Sequence, residues 1–569
     1  VGARAAVFFL DFWAAFLAIS LATLATFFAT LATFLAAFLA TFFAAAFFGA
    51  AFFFAGAFFL AAAFFAVFFL AAGAFFFVFF AAFFLGAAFL AVFFPAFFFF
   101  LAAAMEGSRL PRGILARGAD TTPGSVATVA KIALLALLAA AAPLAEAGEA
   151  AREVEIPMRD GAVLAADLYL PSRAGRHPTV LIQTPYNKRF FGGPLTGVVR
   201  EGGAAGRGSA ADALALLDRE HYAYVVVDWR GFFGSRAAQA KARRGSWRRG
   251  LDGFDCVEWI ARQEWSDGKV GTWGGSALGK QQLDTAAEKP PHLVCCVPLI
   301  ASMGQDYESY YEGGVPLEAH VQALDRLGFG VSALVRRAPR PDQPVWRFVR
   351  ERTYRPEAVG VPSLFITGWW DNYPDQVIAT FEDVAQRGGP GAAQSKLLVG
   401  PWDHVSVGLA KQGDLSFPGA AGESGRAAKA FLDFWLRGEK DNGWKETPRV
   451  RYWRIGGEGW HAVDSWSTAP RETTRLHVAG AGRLGAAAPA EPLELPWTYD
   501  PAQPPPTLGG ANLPPLPHGP RDHAALGARK DVLVFSTGPL KEALRLEGNA
   551  SFTINYRNDA PECDIEAQL

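Results

Sequence analysis

From residue 151 onward, short continuous apolar runs alternate with helix-patterned stretches, and no other feature restricts the fold of this chain so strongly. The runs are "EVEIPM" near 154, "VLAADLYLP", "TVLIQTP", "YAYVVVDW", "KVGTW", "HLVCCVPLI", "SLFITGW" and "SKLLVG". The later ones do not alternate polar with apolar, as expected of parallel strands covered on both faces. Between them, "SAADALALLDRE", "GFDCVEWIARQ" at 253–263 and "ALGKQQLDTAAE" after Ser276 read as helices, the last closed by Pro290-Pro291. This order predicts an α/β layer fold over 148–447, with ligands bound beyond the carboxyl ends of the strands.

Two regions depart from the alternation. The segment at about 302–358, rich in Tyr, acids and Arg, is too long for one crossover and predicts a helical cap over the site. From Pro448 the chain turns β-rich, with "RVRYWRI", "TTRLHVAG", "DVLVFST" and "SFTINYR" interrupted by a Pro/Gly-rich loop at about 481–525. Residues 448–569 are therefore expected to form a second, antiparallel β domain. It is expected to be incomplete, because Leu569 follows directly on an alternating strand.

Residues 1–104 are almost entirely Phe, Ala and Leu. A run of about 18 apolar residues normally reads as a membrane span, but the polar loops and flanking Lys/Arg of real spans are missing. The stretch precedes the first methionine, Met105, and reads as a non-native leader; a membrane contact is expected only if it is real. After Met105, the basic residues Arg112, Arg117 and Lys131 precede "IALLALLAAAAPLA" and then Ala145-Glu146-Ala147. That is the pattern of a secretory signal over 105–147, predicting a mature start near Gly148 and a periplasmic or secreted protein.

A net charge of −1 over 569 residues argues against nucleic acid as a partner. The four cysteines, Cys256, Cys295, Cys296 and Cys563, form no metal-type or disulfide-type spacing, and neither metal nor other cofactor is expected. The basic run "KARRGSWRRG" at 241–250 reads as an exposed loop, and a homo-oligomer is left as an open alternative.

The chemistry centres on "VGTWGGSALGKQQ" at 270–282, which nearly spells two incompatible motifs. Read from Gly274 to Lys280 it approaches a phosphate-binding loop, but Gln281 stands where that loop needs a hydroxyl for Mg²⁺. Read around Ser276 it approaches the turn that presents a nucleophilic serine, and this reading demands an acid and then a histidine downstream, each beyond a strand. "SLFITGWWDNY" places Asp371 there, and "SKLLVGPWDH" places His404. The order Ser276, Asp371, His404 is that of α/β-hydrolases, with Asp403 a rival acid beside the histidine.

The motifs "TPYNK", "DWRGFFGS", "WGGSALG", "GWWDNY", "GPWDH" and "RYWRIGGEGWHAVDSW" resemble those of the CocE/NonD hydrolases in the X-Pro dipeptidyl-peptidase (S15) superfamily, over about 151–569. The family's elbow is G-x-S-Y-x-G, which Gly274, Ser276 and Gly279 fit, with Ala277 replacing the tyrosine. The resemblance implies an α/β-hydrolase core, a helical cap and a C-terminal jelly roll. It also implies an oxyanion site made by the Tyr186 hydroxyl and the Ala277 backbone N–H.

Asp306, Glu308, Glu312 and Glu318, interleaved with Tyr307, Tyr310 and Tyr311, stand either as a pocket lining for a substrate ammonium or as the solvated start of the cap. Trp370, beside the acid, is a further candidate for substrate contact. The implied activity is a serine hydrolase cleaving acyl esters or small amides through an acyl-enzyme. X-Pro dipeptidyl-peptidase or amino-acid ester hydrolase activity is the alternative within this class, and the substrate would be a small ester or amide or a short peptide. A catalytically silent binding protein working through its jelly roll is the alternative outside it.

Overall fold

The computed structural model describes residues 151–191, 218, 220–242, 248–304, 306–457, 459–466, 473–480, 482–548 and 550–569. The leader, the signal pattern, most of the "SAADALALLDRE" helix and the centre of the 241–250 run lie outside them.

Ten strands form one sheet: β1 (Arg152–Pro157), β2 (Val163–Tyr169), β3 (His177–Thr184), β4 (Ala223–Asp228), β5 (Ser266–Gly275), β6 (Leu293–Leu299), β7 (Leu364–Trp370), β8 (Lys396–Asp403), β9 (Val450–Arg454) and β10 (Gly459–Val463). Their order is β1-β2-β4-β3-β5-β6-β7-β8-β9-β10. The strands from β4 to β9 are parallel, and β1, β2 and β10 add antiparallel edges. The chain leaves β3 toward β4 on one side and returns to β5 on the other, so the order reverses beside β3. Open α/β sheets bind ligands beyond the carboxyl ends of the strands at such a reversal, here β3 and β5.

Continuous apolar strands follow from burial on both faces. Leu181, Val225, Val270 and Phe365 pack on one side against α1 (Arg249–Ala261), α2 (Ala277–Ala286) and a longer helix at Pro374–Arg387, through Val257, Ile260, Leu283 and Phe381. Val180, Ile182, Val226 and Ile366, from the same strands, pack on the other side against Phe431 and Leu432 of the helix Glu423–Leu432. Cys295 and Cys296 sit side by side in β6, one in each layer, both fully buried.

Between β6 and β7 come three short helices, α3 (Glu318–Arg326), α4 (Ser332–Arg337) and α5 (Pro344–Thr353), with a small core of their own. Tyr307 stacks on Tyr311 at 4.3 Å, Trp346 packs edge-on against both, and its indole N–H donates to the Ala338 carbonyl at 2.9 Å. Two further helices follow, α6 (Pro374–Arg387) and α7 (Glu423–Leu432).

The C-terminal part differs in detail from the sequence expectation. "RVRYWRI" does not start a separate sheet: β9 pairs with β8 in parallel and, with β10, widens the α/β sheet. Further on, His477–Gly480 and Arg483–Gly485 form a short hairpin, to which "DVLVFST" adds one bridge through Ser536. "SFTINYR" runs extended without a ladder among the described residues. The reason is visible in its side chains: Phe552 and Ile554, like Val534, stay exposed, so no buried face drives pairing.

Candidate active site

At the carboxyl end of β5 the chain turns abruptly into α2, with Ser276 at φ 56°, ψ −122°. A non-glycine residue in this region is strained, and such strain persists only where the surroundings enforce it. Here they do. The Ser276 N–H donates to the Leu299 carbonyl at 2.9 Å. A Cβ on Gly279 would lie 2.5 Å from the Ala301 methyl and 3.0 Å from the Leu299 carbonyl oxygen, so only glycine lets α2 sit this close. Gly274, at φ 143°, could not carry a Cβ either, which would meet Leu278 at 2.7 Å. The buried Gln282 side chain fixes the turn from behind. It donates to the Gly274 and Val297 carbonyls and accepts from Thr272 and the Val297 N–H.

The phosphate-loop reading ends at the same place. Gln281 is buried between helices, donating to the Arg249 carbonyl and Thr285, and Lys280 pairs with Asp284 one turn on.

His404 follows β8, which bulges against β7 between Gly400 and Asp403. The bulge folds the Trp402 ring over Gly400, where a Cβ would be 2.2 Å from it, and aims His404 back across the sheet edge. His404 Nε2 lies 2.9 Å from Ser276 Oγ, and Nδ1 lies 2.7 Å from Asp371 Oδ1. Asp371, fully buried after β7, also accepts from Thr367 Oγ1 at 2.7 Å and from the Asn372 N–H at 2.6 Å. The Nδ1–H that His404 donates to Asp371 leaves Nε2 to accept from the serine hydroxyl.

Asp403, the rival acid, faces the other way. Its Oδ1 accepts from the Val405 and Ser406 backbones and Ser406 Oγ, and its Oδ2 accepts from His518 Nδ1 at 2.7 Å. Burial pushes its carboxyl up, but the hydrogen bonds from His518 and Ser406 outweigh that and hold it below the ordinary range.

Tyr186 sits on the loop after β3, and its hydroxyl is hydrogen-bonded to Ser276. Burial raises the phenol, against the smaller opposite effect of that bond, so it remains a protonated donor. The loop is pinned by its neighbours. Lys188 donates its N–H to Asp228 Oδ1 at 2.7 Å, and its ammonium pairs with buried Asp167 and with Glu153. "DWRGFFGS" is the other half of this latch: Asp228 also accepts from the Gly234 N–H, and Arg230 forks onto Asp252. Ala277 begins α2 directly after the serine, presenting a backbone N–H at a helix N-terminus.

The proposed substrate-contact residues separate. Tyr310 is buried close to Tyr373, whereas Tyr311 commits its hydroxyl to the Val335 carbonyl at 2.7 Å. Asp306 accepts from Arg350 at 3.2 Å, and Glu308, Glu312 and Glu318 are exposed. Trp370 is half-buried against Phe417.

Two residues beside the triad escaped the sequence reading. The Tyr373 ring lies 6.0 Å from that of His404, and its hydroxyl meets His320 Nε2 at 2.7 Å. Burial, and then the nearby His404, lower His320 to about 4, so it is a neutral imidazole. Tyr373 stood inside the "GWWDNY" motif, but nothing in the sequence marks His320, which reaches the site only through the folding of the cap. Among the described residues no cluster of His, Cys, Asp and Glu could hold a metal ion.

The family described as X-Pro dipeptidyl-peptidase (S15 family) matches residues 160–351 and 342–406, and the X-Pro dipeptidyl-peptidase C-terminal non-catalytic domain matches 442–569. The chain belongs to the S15 family. This S15 hydrolase is 26% identical over 481 residues to the cocaine esterase of Rhodococcus sp. (strain MB1 Bresler), covering 74% of this chain and 79% of that protein. Its fold is shared with an aminopeptidase from a marine sediment Thaumarchaeota archaeon (TM-score 0.54, 22% identity, 76% of this chain and 75% of the other). An α-amino acid ester hydrolase shares it as well (TM-score 0.52, 20% identity, 76% of each chain).

Proposed function

We propose that this S15 hydrolase cleaves acyl esters or small amides through an acyl-enzyme on Ser276. His404 Nε2 takes the hydroxyl proton as Oγ attacks the carbonyl carbon, and Asp371 stabilises the imidazolium and fixes its tautomer. The carbonyl oxygen, now negative, is held by the Tyr186 hydroxyl and the Ala277 N–H. His404 returns the proton to the leaving alcohol or amine as the carbon–leaving group bond breaks. A water, deprotonated by the same imidazole, then releases the acid and regenerates Ser276.

The observation that carries this reading is the convergence on one oxygen. Ser276 Oγ meets a histidine backed by a buried carboxylate on one side and a neutral phenol on the other. The strained backbone at Ser276 speaks against a silent binding protein, which would have no use for it.

Within the class, we infer a preference for substrates without a free α-ammonium group. The carboxylate at the centre is engaged by His404, Asp306 is paired with Arg350, and the neighbouring groups Tyr373 and His320 are uncharged. A fluorophosphonate probe tests the nucleophile: it should label the wild type and not Ser276→Ala. A panel of p-nitrophenyl esters against X-Pro-nitroanilides tests the substrate class. Faster turnover of the X-Pro-nitroanilides would overturn the preference while leaving the nucleophile in place.

A further inference from the structure

The loop 509–523 of the C-terminal domain is built as a closed tongue. Gly510 and Gly519 exchange two backbone hydrogen bonds of 2.9 Å, and the Asn512 amide donates to the Gly509 and Pro517 carbonyls inside it. The tongue reaches the α/β core on two of the three turns that bear triad residues. On the turn after β8, His518 Nδ1 donates to Asp403 Oδ2 at 2.7 Å, and the Asp403 side chain is only 1% exposed. On the turn after β7, the Asn372 amide donates to the Ala511 carbonyl at 2.6 Å, while the Asn372 N–H donates to Asp371. A third contact seats the loop: the Asp414 N–H donates to the Pro520 carbonyl, and its carboxylate accepts from Arg521 and the Asp522 N–H. Two glycines permit the approach. A Cβ on Gly413 would be 2.0 Å from the Pro520 carbonyl oxygen, and one on Gly519 would be 3.1 Å from Asp403 Oδ2.

We propose that this tongue positions the triad, with His518 acting through Asp403 on the turn of His404 and Ala511 acting through Asn372 on the turn of Asp371. His518 is thereby a positioning residue, one covalent step removed from the proton relay. The proposal rests on the triad reading above. A misplacement of about 1 Å between reacting groups costs about 10²-fold in rate, so loosening either turn acts on kcat more than on KM. The charge has its own signature. Without the His518 donor, the charge of buried Asp403, next in sequence to His404, is less compensated and acts more strongly on the imidazole. Among the described residues the other groups at His404 are the Ser276 hydroxyl, the Tyr373 ring and the neutral His320, none of which offsets the uncompensated charge. The acidic limb of the rate profile therefore moves to higher pH.

The experiment is steady-state hydrolysis of p-nitrophenyl acetate by the full chain across pH, per active site counted with a fluorophosphonate, for His518→Ala, His518→Asn and Gly413→Val. Asparagine places an amide where the imidazole Nδ1 stands and keeps the donor; valine at 413 blocks docking without touching the triad. The expected result is a fall in kcat of about 10–100-fold for His518→Ala and for Gly413→Val, with KM little changed. The acidic limb should move up in His518→Ala, and His518→Asn should recover most of both. Wild-type kcat and pH limb per site in His518→Ala would overturn the proposal whatever its melting temperature, and so would a His518→Asn as poor as the alanine variant. A Ser276→Ala variant that still turned over would instead sink the triad reading itself.

Discussion

Replacing Tyr186 by phenylalanine removes one oxygen from the site and little else. The ring packs against the core layer that holds Trp273, Leu278 and Trp402, and phenylalanine keeps that packing. What goes is the hydroxyl bonded to Ser276, which in the proposed mechanism meets the substrate carbonyl oxygen as it develops its charge. Loss of a single oxyanion donor typically costs about 10²–10³ in kcat, about 2.7–4 kcal/mol. Since the ground-state carbonyl carries little charge, KM should change little and the loss should fall on kcat. Burial holds the phenol above its ordinary value, so it is a neutral donor throughout the working range. The wild-type and Tyr186→Phe profiles should therefore share their pH limbs and differ only in height. The assay is p-nitrophenyl ester hydrolysis at saturating substrate, with fluorophosphonate titration for the active fraction. A Tyr186→Phe variant within a factor of about three of wild type would show that the hydroxyl is not the oxyanion donor.

Asp371→Asn should lower kcat by about 10⁴ by stranding the wrong imidazole tautomer, whereas Asp403→Asn should cost about 10–10² through geometry alone; the reverse ranking in ester turnover would reassign the acid. Gly279→Ala should destabilise the fold by about 1–3 kcal/mol in urea titration, because the added methyl meets the Ala301 methyl at 2.5 Å; an unchanged midpoint would refute that packing. Asp403 is held below the ordinary carboxylate range, so its stabilisation is complete above that range and is lost as pH falls through the lowered value. The melting-temperature gap between wild type and Asp403→Asn should therefore close on acidification, and a widening gap would contradict the sign. Export along the Arg112–Ala147 pattern should give a mature chain starting near Gly148, and terminal sequencing that still shows residues before Lys131 would exclude it.

How much of this was legible in the sequence follows from how local each signal is. Strands β5 to β8 announce themselves because their central residues are buried on both faces and are apolar or small. The triad is legible for the same reason: each member stands one residue beyond such a run, in an order few folds share. The C-terminal hairpin was less clear, since the alternation of "RVRYWRI" fits any sheet with one wet face and does not say which sheet will receive it. His320 and His518 were illegible. Each reaches the site through a long-range packing of the cap or of the tongue, and an isolated histidine in a helix or a Pro/Gly-rich loop carries no pattern of its own.

Asp371 and Asp403 show why adjacency in sequence is a poor guide to chemistry. Asp403 is covalently next to His404, yet the bulge at Trp402 sends the two side chains to opposite sides of the turn. His404 meets Asp371, thirty-three residues away. Asp403 already has both carboxylate oxygens engaged, by Ser406 and the backbone on one side and by His518 on the other. Environment thus gives two buried carboxylates two roles, one electrostatic and one architectural. The architectural one is completed from residues within the domain matched as non-catalytic, 442–569, so the boundary between the chemistry and its support does not follow the boundary between domains. It runs through the hydrogen bond between His518 and Asp403.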